Sequence, residues 1–240
     1  MAIARVSSDS SVENDIAASI TLPFSTPAGS NRLMVGSGDR QSGTPWVSFA
    51  YNGDAGTLDV QQVDTASTNN SVVVFSLVAP DEDASTVKTI NGLTYASVKT
   101  VDGLAIASVK TVDGIGTTIG NAVLTKSDAT GVLTISVANY TGADQSGQPD
   151  ATGSANSASA SGLSYTVTTV QDSCWIMTGV HLTAGGAVTG TSNYATLETP
   201  TNGACFGDSN GSVGVAGSKT VSFTGGSGRW WAASASYSPA

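Results

Sequence analysis

The chain has 240 residues, enough for one large all-β domain or two small ones, and its hydrophobic share of 40% can fill a sizeable core. Charged residues make up only 11%, against a usual share of about 25%, and the net charge is −9 at a sequence pI of about 4.2. A phosphate-tracking surface needs clustered Lys and Arg, and only nine exist here, so nucleic acid is not an expected partner.

In chain order, the opening stretch MAIARVSSDSSVEND lacks the apolar run of a signal peptide, and no segment approaches the ~18 apolar residues of a spanning helix. Residues 17–24 (AASITLPF) read as a first strand and 33–37 (LMVGS) as a second. WVSFAYNG (46–53) alternates and closes on Asn52-Gly53, a strong hairpin signal because both central positions of a type I′ turn need positive φ. TLDVQQV (57–63) is expected to be its return strand. SVVVFSLVAP (71–80), nearly all apolar and β-branched, reads as a central strand covered on both faces and stopped by Pro80. Further on, GVLTISVANY (131–140) alternates again, while 141–162, ending in SANSASASG, reads as a loop or ragged edge. LSYTVTTV (163–170), CWIMTGVHL (174–182), ACFGD (204–208), KTVSFTG (219–225) and RWWAASASY (229–237) complete the strands. Short strands at this spacing predict an all-β, two-sheet antiparallel sandwich of jelly-roll type.

Between its two parts, 1–84 and 120–240, lies an insertion, 85–119, built from three near-identical units: STVKTINGL, ASVKTVDGL and ASVKTVDGI. Their step of about 11 residues is too short for the usual solenoid repeats. Two readings of the unit stay open. In one, Ser97 or Ser108 caps a helical turn, Val98 and Val101 share a face, and Gly103 is its left-handed terminator. In the other, Asn91-Gly92, Asp102-Gly103 and Asp113-Gly114 are two-residue hairpin turns joining strands of about nine residues. The (i, i+3) valines tilt the reading toward the helical turn. Either way one unit buries little, so Val87, Ile90, Leu93, Val98, Val101, Leu104, Val109, Val112 and Ile115 are candidate assembly contacts.

No nucleophile, zinc or phosphate-loop motif is present, so no catalytic residue, cofactor or metal ligand is assigned. His181, the single histidine, alternates onto a face with Trp175 and Met177 and reads as a packed side chain. Asp81, Glu82 and Asp83, and separately Asp208-Ser209-Asn210-Gly211, have the oxygen-rich look of calcium loops but not their ligand spacing. Cys174 and Cys205 read as small buried hydrophobes, with a disulfide as the alternative. Trp230 and Trp231 point to opposite faces of one strand, so one can enter the core while the other either faces outward or into an interface, as a glycan-stacking or interface aromatic, or is covered by a loop.

The tandem VKT(I/V)(N/D)GL units, the stretch SNRLMVGSGDR through SVVVFSLVAP (30–80), VANYTGADQSGQP (137–149) and WWAASASYSPA (230–240) resemble structural proteins of tailed-bacteriophage virions with jelly-roll, concanavalin-like domains. That resemblance implies a non-enzymatic virion subunit, made in the host cytoplasm, that decorates or connects capsid or tail. Its partners would be other virion proteins and further copies of itself, as in a trimer that buries the strand edges. The alternative it implies is a fibre or receptor-binding module recognising host surface glycan.

Overall fold

Alternating and β-branched stretches in this sequence become strands from end to end. A computed structural model describes residues 2–13, 17–26, 29–40, 45–63, 70–80, 89–90, 93–94, 100–101, 104–105, 111–112, 115–116, 120–129, 131–183, 185–190, 194–200 and 203–240. In chain order the strands are β1 (Ala4–Glu13), β2 (Ser19–Phe24), β3 (Leu33–Arg40), β4 (Trp46–Tyr51), β5 (Asp54–Ala55), β6 (Thr57–Val63) and β7 (Ser71–Val78). The insertion holds β8 (Thr89–Ile90), β9 (Leu93–Thr94), β10 (Thr100–Val101), β11 (Leu104–Ala105), β12 (Thr111–Val112) and β13 (Ile115–Gly116). There follow β14 (Gly120–Lys126), β15 (Leu133–Thr141), β16 (Ala151–Thr169), β17 (Trp175–Leu182), β18 (Thr189–Gly190), β19 (Ala195–Glu198), β20 (Ala204–Asp208) and β21 (Gly217–Tyr237).

The expected all-β antiparallel sandwich is present, built from three main sheets rather than two. A central sheet has the order β1-β15-β3-β7-β6; a second has β2-β14-β4-β5; a third has β16-β21-β17-β20-β19, with β18 also on β21. The central sheet is covered on both faces, which is why β3 and most of β7 are buried at successive positions. Met34, Val73, Phe75, Ile135 and Val137 pack against Ile20, Leu22, Phe49 and Leu124 of the second sheet. Their sequence neighbours Leu33, Val35, Val72, Val74 and Ala138, with Tyr140 farther along β15, pack against Met177, Phe206, Trp231 and Tyr237 of the third. Period-two geometry thus turns one continuous apolar run into the inner walls of two cores.

Two expectations about connections are corrected. Asn52 and Gly53 do form the tight turn, at φ of 55° and 93°, but the return strand β5 lasts only two residues. The chain then crosses at Gly56, and 57–63 joins the central sheet beside β7 instead of pairing with β4. Gly56 allows the switch because a Cβ there would lie 2.3 Å from the Phe49 ring and 2.6 Å from the Ser76 carbonyl oxygen. Gly56→Ala is therefore expected to destabilise the fold by about 1–3 kcal/mol, the usual penalty of overpacking, as read from urea unfolding.

The second correction concerns 141–162. Its latter part is no loop: SANSASASG lies within β16, which pairs along its length with β21. These small residues carry no apolar alternation and are held as strand by that partner. The β16–β21 ribbon also doubles back on itself. Its register shifts between Ser157 and Gly162, and the Asp150 carboxylate, just before β16, accepts the Val170 and Gln171 backbone N–H groups just after it, at 2.8 and 2.9 Å. Folding the ribbon over places Leu163, Val167, Val221 and Phe223 on Ile176, Val180, Trp230 and Ala232, making a third core outside the second.

Candidate assembly interface

The insertion grows from one end of the paired central and second sheets. β7 leaves at Val78, which pairs with Leu33; β14 begins at Gly120, which pairs with Phe24, and Phe24 leads through a short loop back to Leu33. Both feet are pinned. The Ala79 N–H donates to the Arg32 carbonyl at 2.9 Å, and Arg32 Nε donates to the Pro80 carbonyl at 2.8 Å. At the other foot, Gly120 lies against the Tyr51 ring, whose hydroxyl donates to the Phe24 carbonyl at 3.0 Å.

Within the insertion the structure takes the hairpin reading, against the helical turn toward which the valine spacing tilted. Ile90 pairs with Leu93, Val101 with Leu104 and Val112 with Ile115, each across two intervening residues. Asn-Gly and Asp-Gly at those intervening positions are the preferred chemistry of two-residue hairpin turns, and that local preference outweighs a single (i, i+3) valine pair. Two residues of each strand are described, and the rest of the expected nine lie outside the described residues. Six of the nine apolar contact candidates thus sit opposite one another at the mouths of three successive turns. Val87, Val98 and Val109 lie outside the described residues, as do the turn residues themselves and Asp81, Glu82 and Asp83.

Trp230 and Trp231 do alternate to opposite faces, but neither faces outward: they are 0% and 2% exposed. β21 lies between two cores, so each face of the strand meets a packed layer. Trp230 Nε1 donates to the Ala160 carbonyl at 2.9 Å, tying the bend of β16, and Trp231 stands 5.4 Å from the His181 ring. An exposed stacking aromatic at this pair is therefore ruled out by the fold.

What the sequence reading missed is a set of buried polar contacts fastening the central sheet to the third. His181 falls on the expected face, where its Nδ1 meets Asp39 Oδ2 at 2.8 Å. Burial works against protonating the imidazole, but the Asp39 carboxylate outweighs it and raises the His181 pKa above the ordinary histidine value. Asp208, fully buried, meets Arg5 Nη1 and accepts the Tyr140 hydroxyl, each at 3.0 Å, and its other oxygen accepts the Asn210 N–H. These contacts take up the carboxylate that gave 208–211 the look of a calcium loop. Asp59 Oδ2 accepts the Tyr237 hydroxyl at 2.6 Å, and burial pushes the Asp59 carboxyl up to about 6, with the Tyr237 and Ser76 hydrogen bonds opposing. The available signal was an acid inside each strand run: Asp39 in LMVGSGDR, Asp59 in TLDVQQV, Asp208 in ACFGD.

Cys174 and Cys205 are both buried and free, and burial pushes each thiol up to about 12. Among the described residues no three His, Cys, Asp or Glu side chains gather as a metal-ligand set. Large exposed apolar side chains there are scattered valines, at positions 6, 47, 170 and 215, rather than a contiguous patch.

The outer strand β16 offers a different surface. Its inner side pairs with β21, and no described strand pairs with its outer side. From Ala151 to Thr169 it contains no charged residue and no proline, the devices by which edge strands usually block strand addition.

No protein-family model and no curated protein sequence matches the chain. A solved structure of a turret protein in Sulfolobus turreted icosahedral virus aligns over 100% of both chains at 13% identity, with a TM-score of 0.18. A superposition that loose establishes neither a shared fold nor a shared role.

Proposed function

We propose that this chain is a virion structural subunit, a decorating or connecting protein of capsid or tail, that works through protein–protein contacts rather than chemistry. The observation that carries the assembly reading is β16, a long outer strand with no charge or proline to guard its edge. The hairpin insertion supports it: three tandem apolar pairs, each across two intervening residues, lie between the pinned ends of β7 and β14. The resemblance of the repeats to those of phage virion proteins points to the particle as the place of assembly. Closed symmetry, such as that of a trimer, would bury the edges of all copies at once.

Sedimentation velocity of the purified chain tests this. A discrete closed oligomer is expected, together with saturable co-sedimentation with particles that lack the protein. Ser154 and Asn156 lie on the exposed face of β16, so Ser154→Lys with Asn156→Lys places two charges there without entering a core. This double variant is expected to shift the oligomer to monomer while circular dichroism and melting stay unchanged. A wild-type chain that stays monomeric and ignores the particles would sink the proposal.

A further inference from the structure

Beyond assembly, and independently of it, we propose that the groove between the 209–214 loop and the start of β21 binds an acidic saccharide, a sugar ring bearing a carboxylate. The groove holds about 670 Å³, within the ~300–1,000 Å³ common for small-molecule sites. Asn210, Ser212, Ser218, Lys219 and Thr220 line it, with Tyr194 in its wall.

Its loop wall is fixed from behind. Ser209 Oγ donates to the Gly211 carbonyl at 2.6 Å and accepts the Ile176 N–H at 3.1 Å. The Val213 N–H donates to the Cys174 carbonyl at 2.8 Å, and the Ala216 N–H to Asp172 Oδ1 at 2.7 Å. The side chains of Asn210, Ser212, Ser218 and Thr220 are left exposed on a rigid support, a preformed set of hydroxyl and amide groups.

Two further features select the ligand. Tyr194 is 8% exposed, and its hydroxyl is buried with no hydrogen-bond partner among the described residues. A buried hydroxyl left unmet is unfavourable, and a ligand hydroxyl reaching it would satisfy it. The second feature is charge: the chain has 18 acidic and nine basic residues, yet the groove is lined by one cation and no acid. The Lys219 ammonium donates to the Val215 carbonyl, which leaves two of its three N–H groups for an anion. Dense hydroxyls, a tyrosine and one ammonium match a sugar carboxylate better than a neutral sugar.

Calorimetric titration with sialyllactose, trigalacturonic acid and, as neutral control, maltotriose is the test. At least one acidic sugar is expected to bind, and maltotriose to bind at least about tenfold more weakly. Tyr194→Phe is expected to weaken binding by about tenfold, the size of one hydrogen bond, with no loss of melting temperature because that hydroxyl has no partner among the described residues. Lys219→Gln should abolish the preference for the acidic sugar. The proposal is overturned if neither acidic sugar binds at millimolar concentration, if maltotriose binds equally well, or if both variants bind as wild type does.

Discussion

Trp230→Ala is expected to lower the free energy of unfolding by about 4 kcal/mol, a quarter or more of the ~5–15 kcal/mol that holds an ordinary domain folded. The indole is fully buried in the core formed where the β16–β21 ribbon doubles back, and its Nε1–H holds the Ala160 carbonyl at the bend. Truncation removes the largest side chain of that core and leaves a partly buried carbonyl unmet. Trp230→Phe keeps most of the volume and loses mainly the hydrogen bond, so its effect is expected to be roughly half or less. Urea unfolding followed by far-ultraviolet circular dichroism separates the two. An alanine variant as stable as wild type would mean that the third core is not formed as described.

The second large effect concerns pH. Asp59 has a folded-state pKa of about 6 against an ordinary value of 3.8, because its carboxyl is buried. A raised folded-state pKa means the native protein holds the proton more tightly than the unfolded chain. Its contribution is fully present below 3.8 and is lost as pH rises through about 6. The shift corresponds to roughly 3 kcal/mol. His181 acts with the same sign at higher pH: its pKa is raised, so protonation in contact with Asp39 stabilises the fold until pH climbs past the folded-state value. Stability is therefore expected to be greater at pH 4 to 5 than at pH 8. Asp59→Asn should flatten the part between 3.8 and 6 and raise the melting temperature at pH 8, since the amide oxygen still accepts from Tyr237. A melting temperature independent of pH in wild type would contradict the buried carboxyl.

The strands whose side chains alternate cleanly were readable in advance. Ile20, Leu22 and Phe24 point inward with the exposed Thr21 and Pro23 between them, and the run of valines in β7 announced a strand covered on both sides. The first part of β16, residues 151–162, was not readable, because Ala, Ser and Gly carry no amphipathic signal and only the pairing with β21 makes them a strand, whereas LSYTVTTV announced its second part. The same partner strand explains the tryptophans. Period-two geometry correctly sent Trp230 and Trp231 to opposite faces, but nothing local says that a doubled ribbon will cover the second face. The repeats misled in another way: valine spacing is weak evidence over a single turn, whereas Asn-Gly and Asp-Gly carry a backbone requirement. The groove beside Tyr194 joins residues 194, 209–214 and 218–220 through the packing of three segments, which no motif spells out.

The strand order of the central sheet has a consequence for the timing of synthesis. β15 lies between β1 and β3, so that sheet cannot close until residues up to Thr141 have left the ribosome. The three small hairpins of the insertion need only neighbours a few residues away, and such turns form in about 1–10 μs, whereas all-β domains of distant pairings take milliseconds to seconds. The insertion is thus made, and its local pairings can begin to form, before the body that carries it is complete, although isolated hairpins this short are marginal until they dock. Nascent chains on one messenger would present these segments to each other while their sheets are still open, so encounter between copies can precede the folding of either.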